Sequence, residues 1–369
     1  MQATASKLWV DTHFHVFQAG GAVDGARYVP AYDAHLRDWR ERAARVGIAR
    51  GVCVQPSFLG DDNRALLQAL RSHPQALRGI AVVKPDVGAP VLSELHAAGV
   101  RGIRLNLSGV CHDLAAWTQA DALWAALHDM GWHIEVHTDP GRLPHALRQL
   151  PTDLPLVVDH MAKPMQASPH DPTVQALCQR AARTPVHIKL SGAYRLGGVN
   201  PAELAALWLN ELGATALLWG SDWPCTNHES FADLGQLMAQ AHEWIPPEHL
   251  EQVLTINPHQ LYWLPLSEPA DISSEAPMTP DSFDTFQTHK LREGYDEVLL
   301  REWAPDFSNA PHSHPFDTDA LVVQGEFWLT VDGRTAHYRA GDRFQVARGV
   351  LHAERYGPQG AVFWAARKN

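Results

Sequence analysis

From residue 8 to residue 265, short β-branched apolar runs alternate with longer stretches whose apolar positions recur every three or four residues. The short runs read as strands: Leu8–His13, Gly51–Gln55, Gly79–Val83, Gly102–Leu107, His133–His137, Leu156–Asp159, Val186–Leu190 and Ala216–Trp219. Between them, Asn63–Leu70, Val91–Ala98, Ala120–Met130, Pro172–Ala182 and Pro201–Leu212 carry the helical period. Strands that alternate with helices predict a parallel sheet with crossover helices. Eight such units in about 265 residues predict a closed (β/α)8 TIM barrel. An open doubly wound sheet is the competing arrangement, but no Gly-x-Gly-x-x-Gly turn follows the first strand.

The pattern breaks after residue 265. Residues 266–280 are rich in Pro, Ser, Glu and Ala and read as a linker. Residues 281–369 then show short strands with turns: Glu297–Arg301, Ala320–Val323, Glu326–Val331, Ala336–Arg339, Arg343–Val346 and Ala361–Ala365. Asp332-Gly333 between two of them is a hairpin signal. The expectation is a barrel domain over 1–265, a linker, and a small all-β domain over 281–369.

The 30 basic and 41 acidic residues leave a net charge of −11, with no basic run to offset it. Such a surface disfavours nucleic acid and anionic membranes but leaves a small acidic ligand open, because a pocket can be locally positive. Cys53, Cys111, Cys178 and Cys225 are scattered without a Cys-x-x-Cys pair and read as buried reduced thiols. No signal peptide and no membrane span is apparent, so the expected location is the cytoplasm.

In a barrel of this kind, working groups stand at the C-terminal ends of the strands. Strand one ends in Asp11-Thr-His13-Phe-His15, and residues two apart in an extended segment share a face, so both imidazoles can point into one pocket, a surface or hydrogen-bonded pair being the alternative. Strand four brings Arg104, whose guanidinium suits a carboxylate, either a ligand's or a structural partner's. Strand five ends in Glu135-Val-His137, strand six in Asp159-His160-Met-Ala-Lys163, strand seven in Lys189-Leu-Ser-Gly-Ala-Tyr194-Arg195, and strand eight in Gly220-Ser-Asp222. A purely structural rim has no need of so many ionisable groups.

His13-x-His15 with Asp222 on the last strand resembles the amidohydrolase superfamily. Gln55-Pro-Ser57, Arg101-Gly-Ile-Arg104-Leu-Asn106, Asp159-His-Met-Ala-Lys163-Pro, Lys189-Leu-Ser-Gly192 and Trp219-Gly-Ser-Asp222-Trp-Pro narrow it. They resemble the branch of 2-pyrone-4,6-dicarboxylate lactonases and the related sugar-lactone and sulfomuconolactone hydrolases, over roughly residues 8 to 265. The resemblance implies hydrolysis of a small, acidic lactone. It makes Asp222 the general base, with His13, His15 and His160 polarising the carbonyl. It gives Arg104, Lys163 and Arg195 to substrate carboxylates, and Tyr28, Ser57 and His137 to substrate contact. Lys163 stands where the pyrone enzymes carry arginine, and Leu107-Ser-Gly-Val110 lacks the further arginine they place after strand four, which implies a substrate with fewer acid groups. Many superfamily members hold a divalent metal on the strand-one pair, whereas the pyrone lactonases work without one. The expectation is a barrel that needs no cofactor. The alternative is a divalent ion such as zinc on His13 and His15, completed by His137, His160 and Asp222.

In the tail, Pro311-His312-Ser-His314 and Gly341-Asp342 through Gly349-Val-Leu-His352 resemble the two cupin motifs. They imply a small barrel with the first histidine pair on one strand and His352 on another. These three histidines would hold a divalent transition metal such as zinc, iron, nickel or manganese. An empty cupin acting in homodimer formation or ligand sensing is the alternative. Two other readings stay open: a metal-dependent decarboxylase or amide hydrolase on the same barrel, and a cupin-based sensor with a degenerate barrel. A small lactone or carboxylate is the expected partner.

Overall fold

The computed structural model describes residues 9–263, 283–331 and 334–368. The chain divides into two compact units, Met1–Pro269 and Ala270–Asn369. The linker read at 266–280 and the Asp332-Gly333 turn lie outside the described residues.

The first unit is a ring of eight parallel strands in sequential order. They are β1 (Trp9–Phe14), β2 (Ile48–Val54), β3 (Leu77–Ala81), β4 (Val100–Asn106), β5 (His133–His137), β6 (Leu156–Val158), β7 (Val186–Leu190) and β8 (Leu217–Trp219). Each is followed by a helix: α1 (Leu36–Arg45), α2 (Arg64–Ser72), α3 (Ala89–Ala97), α4 (Asp121–Asp129), α5 (Leu143–Leu147), α6 (Pro172–Ala181), α7 (Pro201–Leu212) and α8 (Leu234–Trp244). The ring closes just beyond β8, where the Asp222 N–H donates to the His13 carbonyl and the His15 N–H to the Trp223 carbonyl, both at 2.8 Å. Closure therefore joins the two segments that carry the candidate chemistry. It requires Gly220, because a Cβ there would lie 2.6 Å from the His13 Cβ.

Strand alternation sorts the side chains. One parity faces the helices and feeds the main apolar core, with Phe14, Trp39, Ile103, Ile134, Val136 and Ile188 among its buried members. The other parity points inward. Val52, Val54, Ile80, Val157 and Leu218 make an apolar floor with Tyr262, from α9 (Asn257–Tyr262). Above it, His13, Arg104, Glu135, Asp159 and Lys189 form a buried polar layer.

The second unit pairs α10 (Phe283–Arg292) with an antiparallel, cupin-like β domain. Its strands are β9 (Glu297–Trp303), β10 (Ser308–His312), β11 (Asp317–Val331), β12 (Arg334–Arg339), β13 (Arg343–Val346) and β14 (His352–Lys368). The runs expected as separate strands at 320–323 and 326–331 are one long strand. It bends at Gly325, whose φ of +77° and close approach to the Gly360 carbonyl leave no room for a Cβ. Phe327, Phe344, Tyr356 and Phe363 fill the interior.

Two thiols differ from expectation: Cys53 and Cys225 are buried, but Cys111 is exposed and Cys178 half-buried. No described helix is long and apolar enough to cross a membrane.

Candidate active site

The ends of β1, β6 and β8 meet around one carboxylate. Asp222 Oδ1 lies 3.3 Å from His15 Nε2 and 3.6 Å from His13 Nε2, and its Oδ2 lies 4.0 Å from His160 Nε2. Its Oδ2 accepts from the Tyr194 hydroxyl at 2.6 Å and from Arg195 Nε at 2.8 Å. Burial alone would raise the Asp222 carboxyl, but Arg195 and His160 outweigh it and hold it well below the usual carboxylate range. Asp222 is thus a fixed anion whose Oδ1 faces the histidines.

The far side of each ring decides what it presents. His15 Nδ1 donates to the Val54 carbonyl at 2.7 Å, so a neutral His15 offers a lone pair from Nε2. His13 Nδ1 faces Asp159 Oδ1 at 3.1 Å, and burial holds this imidazole neutral by lowering it to about 3. Its Nε2 is buried without a partner among the described residues. His160 Nδ1 meets Ser191 Oγ at 3.0 Å, and a hydroxyl can donate to that nitrogen. With that hydroxyl donating to Nδ1, His160 can carry its proton on Nε2. Burial pushes it, like His137, well below the usual histidine range.

Beneath lies a closed ionic network. Lys189 Nζ donates to Glu135 Oε2 at 2.5 Å and lies 3.6 Å from Asp159 Oδ1. Arg104 donates to Asp159 Oδ2 at 2.9 Å and to the Gln55 carbonyl at 3.3 Å. Arg104 and Arg195 thus both already bind protein acceptors. Lys163 Nζ donates to His137 Nε2 at 2.9 Å, and burial lowers its ammonium to about 8.

The backbone here is strained. His160, Met161, Ala162 and Lys163 all have positive φ, between 43° and 61°, and Asp222 has φ 58°. Successive left-handed non-glycine residues cost roughly 1–2 kcal/mol each, so such a turn persists only where its surroundings hold it. Strand six therefore ends by turning His160 and Lys163 toward the barrel mouth, with Ala162 buried between them.

A cavity of about 200 Å³ opens over this centre. His15, His160, Asp222, Arg104, Arg195, His137, Tyr28 and Ser57 all line it, as do Arg27 and Asn106. His13 and Lys163 do not line it; they stand against Asp222 and His137, which do. The Tyr28 hydroxyl is held by the Glu229 carboxylate. Sequence reasoning assigned no role to Tyr194, Glu135 or Lys189. The last two stand two residues before His137 and Ser191, so alternation already placed them on the inward face.

The site also has the donor set for a cation. His13, His15 and Asp222 can each aim one ligand atom within 4.8 Å of the others, as can His13, Asp159 and His160. The unpartnered His13 Nε2 and the His15 lone pair suit a divalent ion. The His15 lone pair and Asp222 Oδ1 suit the two protons of a water molecule equally well.

In the second unit, His312, His314 and His352 form a similar group. His312 ends β10, His314 lies beyond it rather than on the same strand, and His352 opens β14. His312 and His352 each donate Nδ1–H to a carbonyl, of Ala310 and Val350, at 2.9 Å, leaving Nε2 free.

Fold and centre together define a (β/α)8 barrel in which a strand-one histidine pair faces a strand-eight aspartate. The amidohydrolase family model matches residues 10–264, and the chain belongs to that family. It is 32% identical over 276 residues to a 2-pyrone-4,6-dicarboxylate hydrolase of Comamonas testosteroni, covering 69% of this chain and 90% of that protein. It is 29% identical to a 4-sulfomuconolactone hydrolase of Rhizobium radiobacter, covering 68% and 89%. A solved structure from Pseudomonas putida, assigned as a 2-pyrone-4,6-dicarboxylic acid hydrolase, superposes with a TM-score of 0.62 at 36% identity, covering 69% of this chain and 97% of that one.

Proposed function

We propose that the barrel hydrolyses a small acidic lactone with Asp222 as the base. The observation that carries this is Asp222 Oδ1 facing His13 and His15 at 3.6 and 3.3 Å at the bottom of a cavity lined with cations. A water placed there gives its protons to Asp222 and an imidazole lone pair, which aims its oxygen at the cavity. That oxygen bonds to the lactone carbonyl carbon while Asp222 takes a proton. His160, donating from Nε2, steadies the oxygen that becomes negative. The carbon–ring-oxygen bond then breaks, and the leaving oxygen takes the proton back. The product acid ionises and releases one proton to solvent. Asp222 is a weak base, so the rate comes from its placement rather than its strength.

A divalent ion on His13, His15 and Asp222 would polarise the water or the carbonyl. The charge balance does not call for one: Arg104, Lys163, Lys189 and Arg195 stand against Glu135, Asp159 and Asp222, and Glu135 is raised to about 8. A screen of acidic and sugar lactones by proton release, before and after chelation, tests the reading. Opening of an acidic lactone that survives chelation supports it, and no opening of any lactone refutes it.

Lys163 supports the acidic preference. Its ammonium is charged below about pH 8 and loses its proton above it. KM for an acidic lactone is therefore expected to rise as pH passes 8, with kcat less affected. Lys163→Arg keeps its charge and should flatten that rise.

For the second unit, we infer that His312, His314 and His352 hold a divalent transition metal. Metal analysis should show about one equivalent lost in His312→Ala or His352→Ala.

A further inference from the structure

We propose that Arg27 selects substrates carrying an anionic substituent, an assignment that rests on the lactone reading above. Three arginines line the cavity: Arg27, Arg104 and Arg195. Arg104 is bound to Asp159 and the Gln55 carbonyl, and Arg195 to Asp222 and the Thr226 carbonyl. Lys163 donates to His137. Arg27 alone of these cations makes no hydrogen bond or ion pair among the described residues.

Most exposed arginines are simply solvated. Arg27 differs in its placement. It rises from the segment between β1 and α1, yet its guanidinium lies across the end of β4: a Cβ built on Gly109 would sit 2.5 Å from Arg27 Nη1. Leu107-Ser-Gly-Val110 brings no cation of its own. Arg27 therefore supplies from another loop the positive charge that this part of the rim lacks.

The nearby acids accept from other donors. The Asp139 carboxylate accepts from Ser108 Oγ and the Gly109 N–H. The Glu229 carboxylate accepts from Tyr28, Tyr32 and the Asn227 N–H. Ser57, Asn106 and Ser108 share the cavity wall as neutral polar groups. A guanidinium presents five donors in a planar fork that matches the two oxygens of a carboxylate or sulfonate. An anion on the lactone ring would meet that fork while its carbonyl lies toward His160 and Asp222. A neutral sugar lactone gains nothing from it.

The test separates binding from turnover. Citrate, a tricarboxylate with no ester bond to cleave, is titrated calorimetrically into the full chain. Arg27→Met is expected to lose about tenfold or more in affinity, and Arg27→Lys to recover part of it, since lysine keeps the charge without the fork. On an acidic lactone, Arg27→Met should raise KM by about tenfold while kcat changes far less. Equal citrate affinity in wild type and Arg27→Met, or no citrate binding by either, overturns the assignment. Citrate binding that depends on Arg27 without any lactone opening leaves this assignment in place and removes the hydrolase reading. Lactone opening with an unchanged KM in Arg27→Met does the reverse.

Discussion

Asp222→Asn is expected to lower kcat on an acidic lactone by about 10³-fold, within the range that general-base removal produces, while leaving KM no higher. Asparagine keeps the shape and can still accept from Tyr194 and Arg195, so the change isolates the loss of a proton acceptor. The wild-type pH profile carries a second signature. The Arg195 guanidinium holds Asp222 ionised far below neutrality, so kcat/KM should show no acid limb between about pH 5 and 7 from this carboxylate. A limb there that vanishes in Asp222→Asn would show a base of ordinary strength, and the geometry would have to be reconsidered.

Lys189→Met should give the largest loss of stability. Lys189 and Glu135 are fully buried, and removing the ammonium leaves the Glu135 carboxyl without its partner and weakens the hold on Asp159. Above about pH 8, where Glu135 is ionised, breaking a buried pair in this way costs about 3–5 kcal/mol, and below it the proton on Glu135 makes the loss smaller. The pH dependence identifies the stranded group. Burial and the Asp159 charge raise Glu135 to about 8 in spite of Lys189. A folded pKa above the unfolded one means that folding takes up a proton. This contribution is complete below about 4.5 and is lost as pH rises through about 8. Without Lys189 the folded value climbs, so the variant should keep losing stability above pH 8, where the wild type levels off. Denaturant unfolding at several pH values measures both. A variant as stable as wild type throughout would mean that Lys189 does not hold the network together.

Much of this was legible in the sequence because strand ends obey a period of two. His13 and His15, Glu135 and His137, and Lys189 and Ser191 fall inward by count alone. The strands His133–His137 and Val186–Leu190 were found with their observed bounds, since β-branched or ionisable residues alternate there without interruption. What stayed hidden depended on partners distant in the chain. Arg104 read equally as a substrate clamp or a structural partner, and the acceptors it has lie on the loop after β2 and at the end of β6. The left-handed turn His160–Lys163 contains no glycine to announce it. Strand β10 was missed because Ser-Asn-Ala-Pro-His has neither alternation nor β-branched residues. Arg27 gave no signal at all, since its importance comes only from the pairing of every other cation near the cavity.

In the proposed reaction, water held by Asp222 and the histidines attacks the lactone carbonyl. Hydrolysis of an acidic lactone in ¹⁸O-labelled water, followed by mass spectrometry of the opened product, tests it most directly. One labelled oxygen in the new carboxylate and none in the hydroxyl is the expected result. Label in the hydroxyl, or a ring that stays closed, would contradict it.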